Sequence, residues 1–420
     1  MHCDLLIENA SPLITIASPN GPKRGSAMRD LGIIENGTVA ISAGQIVAVG
    51  TSDELAHVIS KQRIDANGQA VLPGFVDAHT HAVFAGDRVN EFEQRLAGAS
   101  YLEIMAAGGG IMSTVNATRQ ASLEQLVSES AERLRVMLHY GTTTVEVKTG
   151  YGLNTADELK MLDAIHQLSD QNIEIVPTFL GAHATPSEFA GRDDEYIELV
   201  ISEMLPAVQQ WAAHHSWPLP FVDVFCDQGA FTLPQLQRLL QAAKAQGFPL
   251  KAHLDEFASL GGTPAAAALG ACSVDHMIAS GDADLLALQA NPNTIATLMP
   301  ATPFGLGLGH YAPARRMLDE FGLAIALGSD LNPGTCWCVS MPFVMALACR
   351  GMGLTPAEAL VGATLNAAYA IGCGERIGSI EPGKQADLLI LRHHDYRQLS
   401  YRIGENLVQN IIKRGQIVAL

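Results

Sequence analysis

The sequence predicts an α/β fold: a (β/α)8 TIM-like barrel with a small composite β-sandwich domain built from both chain ends. Three observations predict it. Eight short apolar runs recur through the middle of the chain, helical stripes fill most of the gaps between them, and both ends are β-rich and glycine-punctuated. One such barrel takes about 250 residues, so a chain of 420 residues has room for it and for a smaller appendage.

At the N-terminal end, residues 4–9, 37–42 and 45–50 alternate around Asn-Gly and Ala-Gly turns, which is hairpin chemistry. At the other end, residues 386–392 and 410–420 are β-rich, with a turn at Arg414-Gly415-Gln416. Neither end can bury a β core alone, so the two are expected to pair. The predicted division is therefore 1–69 and 376–420 for the small domain and 70–375 for the barrel. The barrel strands are read at 70–76, 142–147, 173–180, 221–226, 248–253, 271–275, 294–299 and 323–327. Leu123, Leu126, Val127, Leu134, Met137 and Leu138 form one helical stripe; Leu159, Leu162, Ile165 and Leu168 a second; Leu233, Leu236, Leu239 and Leu240 a third. Alternating βα units imply a parallel sheet covered by helices. The competing fold is an open doubly wound sheet, but the glycine fingerprint it needs after the first strand is absent, and Gly305-x-Gly307-x-Gly309 has no later acidic partner.

Composition narrows the function classes. The chain is 48% apolar and 16% charged with mean hydropathy +0.16, which argues for a compact globule and against disorder. A net charge of −17 repels phosphate backbones and anionic membranes, so no nucleic acid and no membrane partner is expected. The start Met1-His2-Cys3-Asp4 has no secretory pattern, and no apolar run reaches the length of a membrane span. Seven scattered cysteines, with Cys336-Trp337-Cys338 the one close pair, fit reduced thiols in a cytoplasmic protein. Exposed barrel helices could support a homodimer, though no sequence feature calls for one.

Catalytic groups of this fold sit at the carboxyl ends of strands. Those ends read Asp77-Ala78-His79-Thr80-His81, Gly181-Ala182-His183, His253-Leu254-Asp255-Glu256, Asp275-His276 and Gly328-Ser329-Asp330. Five histidines and several carboxylates thus converge on one rim. His-x-His on an extended segment puts both imidazoles on one face. With His253 and Asp330 the pair becomes an N3O set, suited to one divalent metal, Zn2+ or iron (Fe2+/Fe3+), and poorly matched to calcium or magnesium. Strands one and eight of a closed barrel are neighbours, so Asp330 can reach the pair. A metal with an open position acidifies water, and some group must take the water proton. Glu256 serves if the chain coils after His253, Asp255 if the strand persists; spacing alone leaves both open. Read structurally, either acid would pair with Lys251. His276 is a candidate for orienting the attacking water or the oxyanion, or a hydrogen-bonded structural residue.

Longer blocks carry a family resemblance. Leu72-Pro73-Gly74-Phe75-Val76-Asp77 before His79-Thr80-His81 resembles the amidohydrolase superfamily signature. Phe84-Ala85-Gly86-Asp87-Arg88, Asn90-Glu91-Phe92-Glu93, Ser100-Tyr101-Leu102-Glu103-Ile104, Lys148-Thr149-Gly150-Tyr151-Gly152, Thr178-Phe179-Leu180-Gly181-Ala182-His183 and Asp330-Leu331-Asn332-Pro333-Gly334 resemble the imidazolonepropionase family over nearly the whole chain. The resemblance implies a small anionic substrate, 4-imidazolone-5-propanoate, whose ring is opened by water at a C–N bond to give N-formimidoyl-L-glutamate in histidine catabolism. It implies His79, His81, His253 and Asp330 as metal ligands. It implies Glu256 and His276 as proton-handling groups beside Asp330, favouring Glu256 over Asp255. Arg88, Tyr101, Tyr151, His183, Glu256, Asn332, Gly334 and Thr335 fall at substrate-contacting positions.

Some of these roles stand on chemistry alone. An anionic substrate of an acidic protein needs a local cation, and Arg88 lies seven residues past His81 in the first βα loop; the bland reading is an ion pair with Asp87 or Glu91. Tyr151 between two glycines can hydrogen-bond a ring or simply pack. Gly334 and Thr335 offer backbone N–H groups and a hydroxyl at a turn, suited to an anion. Leu254, Gly328-Ser329 and Cys336-Trp337-Cys338 depart from the family pattern without removing a ligand. Lys148 could be taken for the carbamylated bridge of a two-metal site; the family pattern has no such bridge, so one metal is expected. Two other functions compete: an amidohydrolase acting on a related cyclic amide, ureide or formimidoyl-glutamate, and a non-catalytic metal-binding barrel.

Overall fold

A computed structural model of the protein describes residues 1–98, 109–169 and 172–419. Eight parallel strands follow one another around a barrel: Phe75–Asp77, Thr142–Lys148, Glu174–Ala182, Phe221–Cys226, Lys251–Leu254, Ser273–His276, Ile295–Leu298 and Ile325–Leu327. The ring closes at its carboxyl rim, just past the ends of the first and last strands. There Thr80 bridges Leu331 in parallel, His81 N–H donates to the Leu331 carbonyl at 2.8 Å, and Asp330 N–H donates to the His79 carbonyl at 3.0 Å. This order and closure exclude the open doubly wound sheet.

Local chemistry explains the elements. Every residue of Thr142–Lys148 is buried, as a parallel strand covered on both faces requires. The three leucine stripes lie on helices Leu123–His139, Thr155–Leu168 and Leu233–Ala245. Ser122 and Asn154 cap the first two by accepting the N–H groups of Gln125 and Asp157, and Thr232 opens the third in a capping box with Gln235.

The apolar run 70–76, read from sequence as one barrel strand, is divided. Val71–Pro73 joins an outer sheet and Phe75–Asp77 enters the barrel. Gly74 is the crossing point: a Cβ there would lie 2.3 Å from Thr143 Oγ1, so no larger residue could pass the second barrel strand this closely. Apolar patterning could not reveal the break, because both halves are buried.

Two further sheets form the small β-sandwich. One orders Gln45–Thr51, Gly37–Ser42, His2–Ala10 and Ile59–Asp65. The other joins Leu13–Ile14, Ile33–Ile34 and Val71–Pro73 to the C-terminal strands Leu388–Leu391, Val408–Lys413 and Gln416–Ile417. Leu5, Ile7, Val39 and Ile41 from the first sheet meet Leu13, Val71, Leu388, Ile390 and Ile412 from the second in one core. Ile59–Asp65 escaped the sequence reading because it is mostly exposed and carries Lys61, Gln62 and Arg63 where an apolar repeat would signal a strand. The seven cysteines are all free thiols. Among the described residues, no helix is long and apolar enough to cross a membrane.

Glu174, at the start of the third barrel strand, ties barrel to sandwich. It accepts from Lys413 Nζ at 3.2 Å and Gln385 Nε2 at 3.1 Å and pairs with Arg376. Burial alone would raise its pKa, but the Arg376 hydrogen bond and the Lys413 and Arg376 charges outweigh it and hold the carboxyl well below the usual range. A depressed carboxylate stabilises the fold above its unfolded pKa and loses that contribution as pH falls toward its folded pKa. Glu174→Gln is therefore expected to cost on the order of 2 kcal/mol at pH 7. The deficit should shrink progressively below about pH 4. Urea unfolding of both proteins at pH 7 and pH 3 checks this; an equal deficit at both would contradict it.

Candidate active site

The seam between the first and last strands assembles the histidine-carboxylate cluster. Asp330 Oδ1 lies 3.6 Å from His79 Nε2 and 3.6 Å from His81 Nε2, and His81 Nε2 lies 3.4 Å from His253 Nε2. A tetrahedron with bonds of about 2.1 Å to a central zinc has edges of about 3.4 Å. Three of the donor pairs thus already stand near ligand-to-ligand distances, and His79, His81 and Asp330 have their ligand atoms within 4.8 Å of one another. His79 Nε2 is buried without a hydrogen-bond partner. Burial above all, then Lys148 beside His79 and His183 beside His81, pushes both imidazoles well below the usual histidine pKa, so they are neutral lone-pair donors. An orphaned lone pair facing other acceptors in a dry site fits a cation at their centre. A second group, His79 with His253 and His276, also has its ligand atoms within 4.8 Å of one another.

Carboxylates behind the cluster orient the rings. Asp275 Oδ2 lies 2.7 Å from His79 Nδ1 and leaves Nε2 facing inward. Asp223 Oδ2 stands 2.9 Å from His253 Nδ1, an ion-pair separation without hydrogen-bond alignment, and Asp223 Oδ1 accepts the His253 backbone N–H at 3.1 Å. Thr302 donates to Asp330 Oδ2 at 2.7 Å, leaving Oδ1 for the cluster.

Backbone conformation separates the two candidate acids. Asp255 has φ +57°, His276 +80° and Asp330 +54°, left-handed values that cost about 1–3 kcal/mol each and gather at functional sites. The turn at Asp255 sends its carboxylate to Ser280 and Thr263, at 2.7 and 2.9 Å. Glu256 then faces the cluster, with Oε2 3.9 Å from His276 Nε2. Asp227 holds that turn by accepting the N–H groups of Glu256, Phe257 and Ala258. Burial first, then the charges of Asp330 and Asp227, keeps the Glu256 carboxyl well above the usual carboxylate range. Lys251 pairs with neither acid; it lies inside the barrel, 2.6 Å from Ser273 Oγ and 3.5 Å from Asp275.

Other expected contacts ring the cluster. His183 stacks on His81 with centroids 4.9 Å apart, and Tyr151 lies 5.3 Å from His183 and 5.8 Å from His81. His183 Nδ1 is 3.0 Å from the Gly150 carbonyl, so it carries the proton and Nε2 is the acceptor. Burial, with His253 next, lowers the His183 pKa to about 3. Glu158 accepts the N–H groups of Gly150, Gly152 and Leu153 and so shapes the loop that presents Tyr151.

Arg88 pairs with Glu91 through Nε at 2.8 Å and Nη2 at 2.7 Å, and its Nη1 lies 2.1 Å from where a Cβ on Gly334 would stand. Gly334 therefore has to be glycine for the guanidinium to rest there. Asn332 Oδ1 accepts the N–H groups of both Gly334 and Thr335 at 2.8 Å, so in this conformation those donors serve the turn itself. The Thr335 hydroxyl also meets the Asn332 side chain, at 2.9 Å. Tyr101 lies outside the described residues.

Sequence reasoning did not single out Asp223, Asp275, Glu146, Thr302, Asp227 or Glu158 as supporting groups, whereas the Arg88–Glu91 pair was one of its alternatives. A signal existed for the first three: each is an acid inside an apolar barrel run, where a buried charge must find a partner.

Comparison with known proteins decides the family. The amidohydrolase family pattern matches residues 70–418. The chain is 53% identical to an imidazolonepropionase of Chloroflexus aggregans, over 99% of this chain and 98% of that one. The chain belongs to the imidazolonepropionase family of amidohydrolases. An imidazolonepropionase of Herpetosiphon aurantiacus is 50% identical over 99% of this chain and 97% of its own length. Among solved structures, an adenosine deaminase from Xanthomonas campestris with bound zinc shares the fold at TM-score 0.71 and 21% identity, covering 99% of this chain and 93% of that one. The amidohydrolase match of this imidazolonepropionase-family chain spans all four candidate metal-ligand positions, from His79 to Asp330.

Proposed function

We propose that the protein hydrolyses 4-imidazolone-5-propanoate to N-formimidoyl-L-glutamate, using one divalent metal held by His79, His81, His253 and Asp330. The observation that carries the reading is the buried group of His79, His81 and Asp330, whose ligand atoms lie within 4.8 Å of one another, with His253 Nε2 3.4 Å from His81 Nε2. The 53% and 50% identity to imidazolonepropionases supports the choice of substrate. Zinc and iron both suit three imidazoles and a carboxylate. When bound, the metal supplies a Lewis acid that acidifies water and polarises the ring carbonyl.

The chain's own groups do the rest. Glu256, held high in pKa and turned toward His276, takes the proton of the attacking water and returns it to the leaving ring nitrogen. His276, its pKa pushed well below normal by burial, is neutral and orients the water or receives the developing oxyanion by hydrogen bonding. His183 Nε2 accepts from a ring N–H, and Tyr151 packs beside it. The Arg88 Nη1 edge, left free by Glu91, meets the propanoate carboxylate.

Loss of imidazolone absorbance on adding the metal-loaded protein, with no release of ammonia, is the expected result. Ammonia release would favour a formimidoyl-glutamate deiminase, and no turnover at all a binding barrel. Arg88→Ala is expected to raise KM about 10- to 100-fold, the worth of a charge-assisted hydrogen bond. A substrate analogue lacking the carboxylate should be indifferent to the change; equal sensitivity would remove Arg88 from that role.

A further inference from the structure

Lys148 takes no part in the chemistry above, yet it is a completely buried ammonium beneath the metal cluster. Its Nζ lies 2.8 Å from Asp223 Oδ2, 2.6 Å from Glu146 Oε1 and 3.7 Å from Asp275 Oδ2. These are not arbitrary oxygens. Asp275 Oδ2 is the atom 2.7 Å from His79 Nδ1, and Asp223 Oδ2 is the atom 2.9 Å from His253 Nδ1. Glu146 reaches the third ligand-bearing segment: its Oε2 accepts the Thr80 N–H at 3.2 Å, and its backbone carbonyl accepts the Thr80 hydroxyl at 2.6 Å. The Lys148 N–H in turn donates to the Thr80 carbonyl at 3.0 Å. Thr80 sits between His79 and His81.

We propose that Lys148 is a positioning residue that gathers Asp223, Asp275 and Glu146 and through them sets the orientation of His253, His79 and the His79-Thr80-His81 segment for metal binding. It acts as a cation and not as a carbamylated ligand. Both near oxygens are carboxylates at ion-pair distance, and a carbamate would put negative charge against them. Removing the ammonium leaves three carboxylates crowded in one dry cluster. They then move apart or recruit water, and the ring nitrogens they aim lose their convergence.

The inference rests on the metal reading of the site, and the experiment separates the two. Wild-type and Lys148→Met proteins, stripped and reloaded with Zn2+ or Co2+, are compared by chelator competition and by the visible absorption of the Co2+ form. The expected result is a metal affinity about 10- to 100-fold weaker in the variant, as for loss of other groups behind a metal ligand, with an altered Co2+ spectrum and a retained far-ultraviolet circular dichroism. Unchanged affinity and spectrum in folded Lys148→Met would overturn the proposal. Failure of the wild type to bind either metal would overturn the metal reading instead. Should Lys148→Met not fold, Lys148→Met/Glu146→Gln removes one charge of each sign from the buried cluster and carries the same expectation, and unchanged affinity there overturns it equally.

Discussion

Asp330→Ala is expected to release the metal and to lower kcat/KM by at least about 10³-fold while the barrel stays folded. Asp330 contributes the one carboxylate oxygen that stands 3.6 Å from both His79 Nε2 and His81 Nε2. Three neutral imidazoles bind a divalent cation without charge compensation, so the loss is electrostatic as well as geometric. The fold should survive because the Asp330 N–H bond to the His79 carbonyl closes the ring through backbone atoms that alanine keeps. Alanine at φ +54° adds strain of about 1–2 kcal/mol, which unfolding will register. Elemental analysis beside circular dichroism and turnover checks the expectation. Retained stoichiometric metal would take Asp330 out of the ligand set.

Glu256→Gln is expected to lower kcat by about 10²- to 10⁴-fold with metal content unchanged, the usual worth of a general base. The amide preserves shape and the N–H bond to Asp227 while removing the proton acceptor. Asp255→Asn is the paired control. Its carboxylate already accepts from Thr263 and Ser280, so its loss should register mainly as lowered stability. Turnover abolished in a folded Asp255→Asn protein, with Glu256→Gln active, would reverse the assignment. Metal analysis separates either effect from loss of the ion.

Much of this was legible from residues alone. The eight apolar runs mark the barrel strands to within a few residues, and the leucine stripes mark three of its helices. The histidines and Asp330 were readable because each falls where a strand ends, and a parallel barrel puts every such end on one rim. Arg88 was a candidate from charge, since an acidic protein proposed to take an anion needs a local cation.

The choice between Asp255 and Glu256 was not readable. It depends on a left-handed residue at Asp255, a backbone torsion that no side-chain pattern reports. The division of 70–76 between two sheets escaped for a similar reason, because apolar spacing measures burial and not which sheet does the burying. Spacing offered Asp87 or Glu91 as an ion-pair partner of Arg88, and the fold chose Glu91, at 2.7 and 2.8 Å.

The sequence by itself determined the alternation of elements, the strand-end donors and the family, because these are written in local periodicity and in contiguous motifs. Only the tertiary structure decided which donors converge, which acid faces them and what the buried lysine holds. Beyond the local torsion at Asp255, those facts depend on contacts between residues far apart in the chain, such as Lys148 with Asp223, 75 positions apart, and Ser329 with Asp77, 252 apart, created when the barrel closes. Local spacing carries no information about the distance across a ring until the first strand meets the eighth.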